Sequence, residues 1–225
     1  SPQNAITVWK DHMVSQGFGY KLGVDLPGEK RGLIPNAQFY DKAYRGHWNG
    51  LTVISISIGQ GEILSTPLQI ANLGATIANR GHFTAPHIVK EIQDAQLDSI
   101  YRHPRNTTIE RRHYESVVEG MRAAATGGTC RMLSVMVPDL EACGKTGTAQ
   151  VIGIGKNEKY NAAALAEHKR DHALYTAFAP VDNPKIVIAL IVENAGFGAS
   201  AAAPIARKAM DYFFLGKKPV SEVST

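Results

Sequence analysis

The chain has 225 residues, 44% hydrophobic and 20% charged, an ordinary globular composition with length enough for one sizeable core. Its 24 Lys and Arg stand against 20 Asp and Glu, a net charge of +4 with no basic stripe, so a nucleic-acid partner is not expected. Two cysteines, Cys130 and Cys143, exclude a disulfide framework and leave at most one bridge, and no apolar run approaches the roughly 20 residues of a membrane-spanning helix.

Residues 1 to 50 are rich in Gly, Pro and aromatics and read as mostly irregular, with one short helical pattern from Ile6 to Val14. The start at Ser1-Pro2-Gln3-Asn4, without signal-peptide pattern, leaves either a cytosolic chain or one that has lost its targeting segment, and the missing Met favours a fragment. The apolar run Leu51 to Ile58 predicts a strand entering the loop Gly59-Gln60-Gly61. Thr66-Pro67-Leu68-Gln69 is a capping box with proline at the first helical position, and it opens a helix to about Asn79 that Gly81 ends. Leu68, Ile70, Ala71, Leu73, Ala75, Ile77 and Ala78 surround that helix, so burial on most sides is expected.

Short strands with polar turns are expected from Pro86 to Ile100. A second helix should start at Thr107 or Thr108 with Glu110 completing a capping box, carry Tyr114, Val117, Val118, Met121 and Ala125 as one stripe, and stop at Gly127-Gly128. Three strand segments follow: Glu141 to Ile152, Ala173 to Pro180 and Lys185 to Glu193, the last two joined tightly through Val181-Asp182-Asn183-Pro184 and therefore antiparallel. A helix from Ser200, with Pro204 in its first turn, runs to Phe214 and Gly216. Blocks of helices and an antiparallel sheet make an α+β class, and a parallel nucleotide-binding fold is disfavoured.

The segment Cys143-Gly144-Lys145-Thr146-Gly147-Thr148-Ala149-Gln150 has too many small residues for an ordinary core strand, which suggests that something approaches its backbone. Alternation puts Thr146 and Thr148 on one face and Lys145 on the other, where its long stem still reaches a pocket at the strand edge. Two hydroxyls and a cation then converge on one anion. Gly147 leaves room for an extended peptide against the strand, and the Thr148 N–H can serve as an oxyanion donor. A phosphate-binding Walker A loop fails on spacing, because its first glycine would fall on Asp139.

Phe18-Gly19-Tyr20, Gly23-Val24-Asp25-Leu26-Pro27-Gly28-Glu29, Ile58-Gly59-Gln60-Gly61, Thr66-Pro67-Leu68-Gln69, Gly128-Thr129, Lys145-Thr146-Gly147-Thr148-Ala149-Gln150, Arg170-Asp171-His172 and Thr176-Ala177-Phe178-Ala179-Pro180 follow in order, with a closing helix after them. In this the chain resembles the class B penicillin-binding proteins, most closely penicillin-binding protein 2 of cell elongation, over almost its whole length. The resemblance implies a serine β-lactamase/transpeptidase-like fold, with residues 1–225 as the C-terminal portion of a single transpeptidase domain. It implies a D,D-transpeptidase that cross-links peptidoglycan stem peptides ending in D-Ala-D-Ala through a serine acyl-enzyme. It also implies penicillins and other β-lactams as ligands, a SEDS-type glycosyltransferase as partner, no cofactor, and a periplasmic location through an N-terminal membrane anchor.

Carried onto this sequence, Lys145 sets the electrostatics around the substrate carboxylate, and Thr146 and Thr148 bind that carboxylate. The Thr148 N–H joins the nucleophile's own N–H in the oxyanion hole. The departure is that no Ser-x-x-Lys, Ser-x-Asn or Ser-x-Asp occurs in residues 1 to 225. In the family both motifs lie upstream, so nucleophile and base are expected outside this chain, which alone should be inactive and should expose apolar surface or pack against a second copy. A β-lactam-sensing receptor domain and a non-catalytic scaffold are the alternatives on the same fold.

Other residues take structural readings. His172 beside Asp171 is read as a structural hydrogen-bonding histidine, Cys143 as inert packing and Gly59-Gln60-Gly61 as a turn supporting the sheet. No metal is expected, since the eight histidines include no i, i+4 pair with a helical Glu. Gly153 to Lys169, with Lys156, Asn157, Glu158 and Lys159, reads as a polar loop beside the site.

Overall fold

The structure, a computed structural model, describes residues 1–131, 140–152, 161 and 164–216. The chain divides into two compact units, Ser1–Tyr114 and Glu115–Thr225.

In the first unit, α1 (Pro2–Ser15), α2 (Ala37–Ala43), α3 (Gly50–Ser57) and α4 (Pro67–Ala78) precede β1 (His82–Phe83), α5 (Ser99–Arg102) and β2 (Arg105–Asn106). Two of these helices fall in the stretch expected to be mostly irregular, and α1 is longer than its apolar pattern because Ser1 caps it and Pro2 occupies its first turn. The strand expected over Leu51 to Ile58 is helix α3. Its β-branched composition favours a strand, but the Asn49 side chain accepts from the Leu51 N–H and caps a helix that buries Ile56 beside Ile6 and Tyr40. The next turn closes with the Gly59 N–H on the Ile56 carbonyl.

Helix α4 begins with the expected capping box: Gln69 donates its N–H to the Thr66 hydroxyl, and its side-chain oxygen accepts from the Thr66 N–H. Its burial differs from expectation. The fully buried positions are Gln69, Asn72, Gly74, Thr76 and Ala78, whereas Leu68, Ile70, Leu73 and Ile77 are only half-buried. The reason is polar anchoring: Gln69 Nε2 donates to the carbonyls of Gly17, Tyr20 and Arg31, and Asn72 Nδ2 to that of Gln16. One inward row of the helix thus serves the backbone of the preceding loop.

No paired strands form between Pro86 and Ile100 beyond the isolated bridge Ile92↔Ala95. The Asp25 carboxylate takes the Ile88 and Val89 N–H groups, which removes them from any ladder and holds that carboxyl below its usual range. The boundary between the units falls within α6 (Arg111–Thr126), which starts later than expected. Thr107 does not cap it. Its hydroxyl pairs with the Tyr114 hydroxyl, Thr108 pairs with Ser15 and His12, and Glu110 pairs with Arg112.

The second unit contains the expected antiparallel sheet, with β3 (Cys143–Ala149), β4 (His172–Ala179) and β5 (Ile186–Val192) in the order β3-β4-β5. The closing helix is broken at Ala202 into α7 (Gly198–Ala201) and α8 (Ala203–Leu215), and Gly216 in the left-handed region stops it. Alternate β4 residues Ala173, Tyr175, Ala177 and Ala179 form the core with Ala202, Ala203, Ala206 and Met210. Three alanines on one face of β4 let α8 lie close to the sheet. Cys130 and Cys143 are buried and are not joined in a disulfide. Apolar side chains also remain exposed: Leu51 and Ile54 of α3 are 73% and 61% exposed, and Ile58, which follows the helix, is 70% exposed.

Candidate active-site strand

β3 has β4 on one side and no described strand on the other, so it is the open edge of its sheet. The register pairs Lys145 with Thr176, Thr146 with Tyr175, Gly147 with Leu174 and Thr148 with Ala173. Cross-strand partners share a face. Thr146 and Thr148 therefore lie on the Tyr175 side and Lys145 on the Thr176 side, as alternation requires.

Lys145 and Thr148 are exposed, and Thr146 and Gly147 are half-buried. Lys145 Nζ donates to the Thr146 carbonyl, so the ammonium curls over the strand edge. In an antiparallel ladder the N–H and C=O of residues two apart point the same way. The exposed bond to the Thr146 carbonyl therefore puts the main-chain groups of Thr146 and Thr148 on the open edge. All four residues singled out in the sequence come together on this one strand.

Two supports were not legible beforehand. The Thr146 hydroxyl donates to Thr129 Oγ1 at 3.2 Å, a pairing that only the landmark Gly128-Thr129 hinted at. Gly198, first residue of α7, lies directly on the strand. A Cβ there would sit 2.1 Å from the Leu174 carbonyl oxygen and 2.7 Å from that of Gly147. The glycine spacing Gly196-Phe197-Gly198 was the available signal.

The neighbouring residues are structural. His172 Nδ1 accepts from the Asn194 N–H at 2.9 Å, and Asn194 Nδ2 donates to the Arg170 carbonyl. The buried Asp171 accepts from the Val151 N–H, and its carbonyl accepts from the Gly196 N–H. Cys143 Sγ donates weakly to the Val118 carbonyl. Burial first, then the nearby Cys130 thiol, pushes the Tyr175 hydroxyl far above its ordinary pKa and keeps it neutral. Most of the expected polar loop, with Lys156, Asn157, Glu158 and Lys159, lies outside the described residues. Its described end is a single 3-10 turn, Glu167–Lys169. Among the described residues no three His, Cys, Asp or Glu side chains converge as a metal site, and no helix is long and apolar enough to cross a membrane. A cavity of about 560 Å³ lies away from β3 in sequence, lined by Val24, Leu26–Lys30, Thr66–Leu68 and Pro86–Ile88 of the first unit.

Residues 5–211 match the family described as the penicillin-binding protein transpeptidase domain. The chain belongs to that family. It is 39% identical over 211 residues to the peptidoglycan D,D-transpeptidase MrdA of Haemophilus influenzae, covering 92% of this chain and 32% of that protein. It is 40% identical over 207 residues to MrdA of Acinetobacter baumannii, covering 90% of this chain and 30% of that one. Among solved structures, Pseudomonas aeruginosa PBP2 in complex with WCK 5153 superposes with a TM-score of 0.74 at 32% identity, covering 95% of this chain and 46% of that one. A chain of a peptidoglycan synthase complex that coordinates polymerization and crosslinking gives a TM-score of 0.75 at 31% identity, covering 99% and 35%. The fold is therefore the α+β fold of the penicillin-binding transpeptidases. The chain spans about a third of the length of these MrdA relatives.

Proposed function

We propose that this chain forms the C-terminal part of one transpeptidase domain and supplies the Lys-Thr-Gly wall of a peptidoglycan D,D-transpeptidase of cell-wall elongation. Its nucleophilic serine lies in a longer parent polypeptide. The observation that carries this reading is the open edge of β3, where the Lys145 ammonium, the Thr148 side chain and the main chain of Thr146 and Thr148 face the same space. An extended stem peptide adds to that edge as a further strand, with the Thr146 and Thr148 hydroxyls and the Lys145 charge on its terminal carboxylate.

The parent's serine then attacks the penultimate D-Ala carbonyl carbon. The Thr148 N–H stabilises the oxygen as it gains charge in the tetrahedral intermediate. The C–N bond to the terminal D-Ala breaks, its amine leaves with the serine's proton, and an ester to the serine remains. A neighbouring stem's amine attacks that ester, forming the cross-link and restoring the hydroxyl. Penicillins acylate the same serine because their strained amide and carboxylate mimic the substrate. A glycosyltransferase of SEDS type that makes the glycan is the partner this role requires, and an N-terminal membrane anchor with a periplasmic site goes with it. The similarity to a chain of a synthase complex supports the partnership.

The test is D-Ala release from a D-Ala-D-Ala pentapeptide by the parent polypeptide and by its Lys145→Ala variant. Release by the parent, lowered roughly 100-fold or more in the variant, supports the reading. A folded parent that binds penicillin covalently yet releases no D-Ala is instead the sensing receptor.

A further inference from the structure

Thr176 belongs to the landmark Thr176-Ala177-Phe178-Ala179-Pro180, and the chemistry above gives it no task. In the β3–β4 register it stands directly opposite Lys145, on the same side of the sheet. Its Oγ1 is buried and has no hydrogen-bond partner among the described residues. A hydroxyl carries one donor and two acceptor sites, and native structures rarely leave such a group unpaired.

What surrounds it narrows the possible partners. On its own strand the same-face neighbours are Leu174 and Phe178, and across β5 its partner is Ala189, flanked by Val187 and Ile191. On β3 the diagonal neighbours are Cys143, whose thiol is turned to the Val118 carbonyl, and Gly147. Lys145 is the only charged residue in this set. Its ammonium has three N–H groups, of which the bond to the Thr146 carbonyl uses one.

We infer that Thr176 is a positioning residue for Lys145: its buried hydroxyl, unpartnered while the ammonium sits on the Thr146 carbonyl, offers a second acceptor that holds the Lys145 charge beside the carboxylate-binding edge of β3. The inference rests on the transpeptidase reading of Lys145. The hydroxyl does not touch substrate. It acts by restricting a long side chain that otherwise samples many rotamers, so less freedom is lost when the substrate carboxylate arrives.

The experiment uses the parent polypeptide as wild type, Thr176→Val, Thr176→Ser, Lys145→Ala and the double variant Thr176→Val/Lys145→Ala. Second-order acylation by a penicillin is followed together with the thermal midpoint. Valine keeps the shape and deletes the hydroxyl, so it should leave the midpoint unchanged or raise it while slowing acylation roughly tenfold, and serine should restore the rate. In the Lys145→Ala background the same valine should have no further effect. A second readout needs no catalysis. The Lys145 amine, mapped by mass spectrometry after brief acylation with an amine-reactive ester, should label faster in Thr176→Val.

Wild-type rates in Thr176→Val, or an undiminished valine effect without Lys145, would overturn the inference while leaving the transpeptidase reading intact. A wild-type parent that is never acylated removes that reading. The amine labelling then decides whether Thr176 holds Lys145 at all, equal labelling rejecting it.

Discussion

Gly198→Ala tests whether the Lys-Thr-Gly strand owes its position to α7. The added Cβ would sit 2.1 Å from the Leu174 carbonyl oxygen, 2.7 Å from the Gly147 oxygen and 3.2 Å from the Gly147 nitrogen. The first distance is about 1 Å or more inside any tolerable carbon–oxygen approach, and both oxygens are backbone atoms that cannot rotate away. Helix α7 must lift or β3 must shift, at a cost of about 2–3 kcal/mol. In urea, with a slope of about 1–3 kcal/mol/M, the unfolding midpoint should fall by roughly 1 M or more.

Two controls separate sterics from backbone preference. Gly196→Ala has nothing within 4 Å but holds φ at +78°, so it should lose only about 1 kcal/mol. Gly120→Ala, inside α6 and equally uncrowded, should be neutral or gain about 0.5–1 kcal/mol. Far-UV circular dichroism against urea reads all three. A Gly198→Ala midpoint within error of wild type would refute the claim that α7 rests on the strand.

The same reasoning gives two more expectations for the first unit. Gln69→Leu strips three loop carbonyls and the Thr66 N–H of their partner, so it should destabilise by about 2–4 kcal/mol in the same urea assay despite the similar side-chain volume. Glu62 makes stability depend on pH. Burial alone would raise its carboxyl, but hydrogen bonds from the Tyr44 and Tyr40 hydroxyls outweigh that and leave it below its ordinary value of 4.5. A lowered folded-state value means that its stabilisation is full above about pH 4.5 and is lost as pH falls through the folded value. The thermal midpoint should therefore fall less in Glu62→Gln than in wild type between about pH 6 and pH 3, and parallel curves would reject the tyrosine clamp.

What the sequence disclosed depended on how local the signal was. The three strands were legible because their short runs of apolar and small residues and the tight Val181–Pro184 link are both local, and the α4 capping box is complete within four residues. Helix α3 was not, because Thr52, Val53, Ile54, Ile56 and Ile58 look like a strand until Asn49 is counted as a cap and Ile56 is set beside Tyr40. Thr107 fits a capping box equally well, yet it pairs with Tyr114 instead.

At the site, Lys145, Thr146, Gly147 and Thr148 were readable from one contiguous segment. Thr129, Thr176 and Gly198 were not, since their importance comes from 17, 31 and 51 residues away through register and close approach. The apolar positions of α4 misled in the opposite direction: the inward places were taken by Gln69, Asn72 and Thr76, whose value lies in hydrogen bonds that no hydrophobic pattern displays.

The most direct test of the central claim is intact-mass analysis of the parent polypeptide after exposure to a penicillin, beside its Lys145→Ala variant and the 225-residue chain alone. One covalent adduct is expected on the parent, slowed in the variant and absent from the chain. A folded parent that gains no adduct would contradict it.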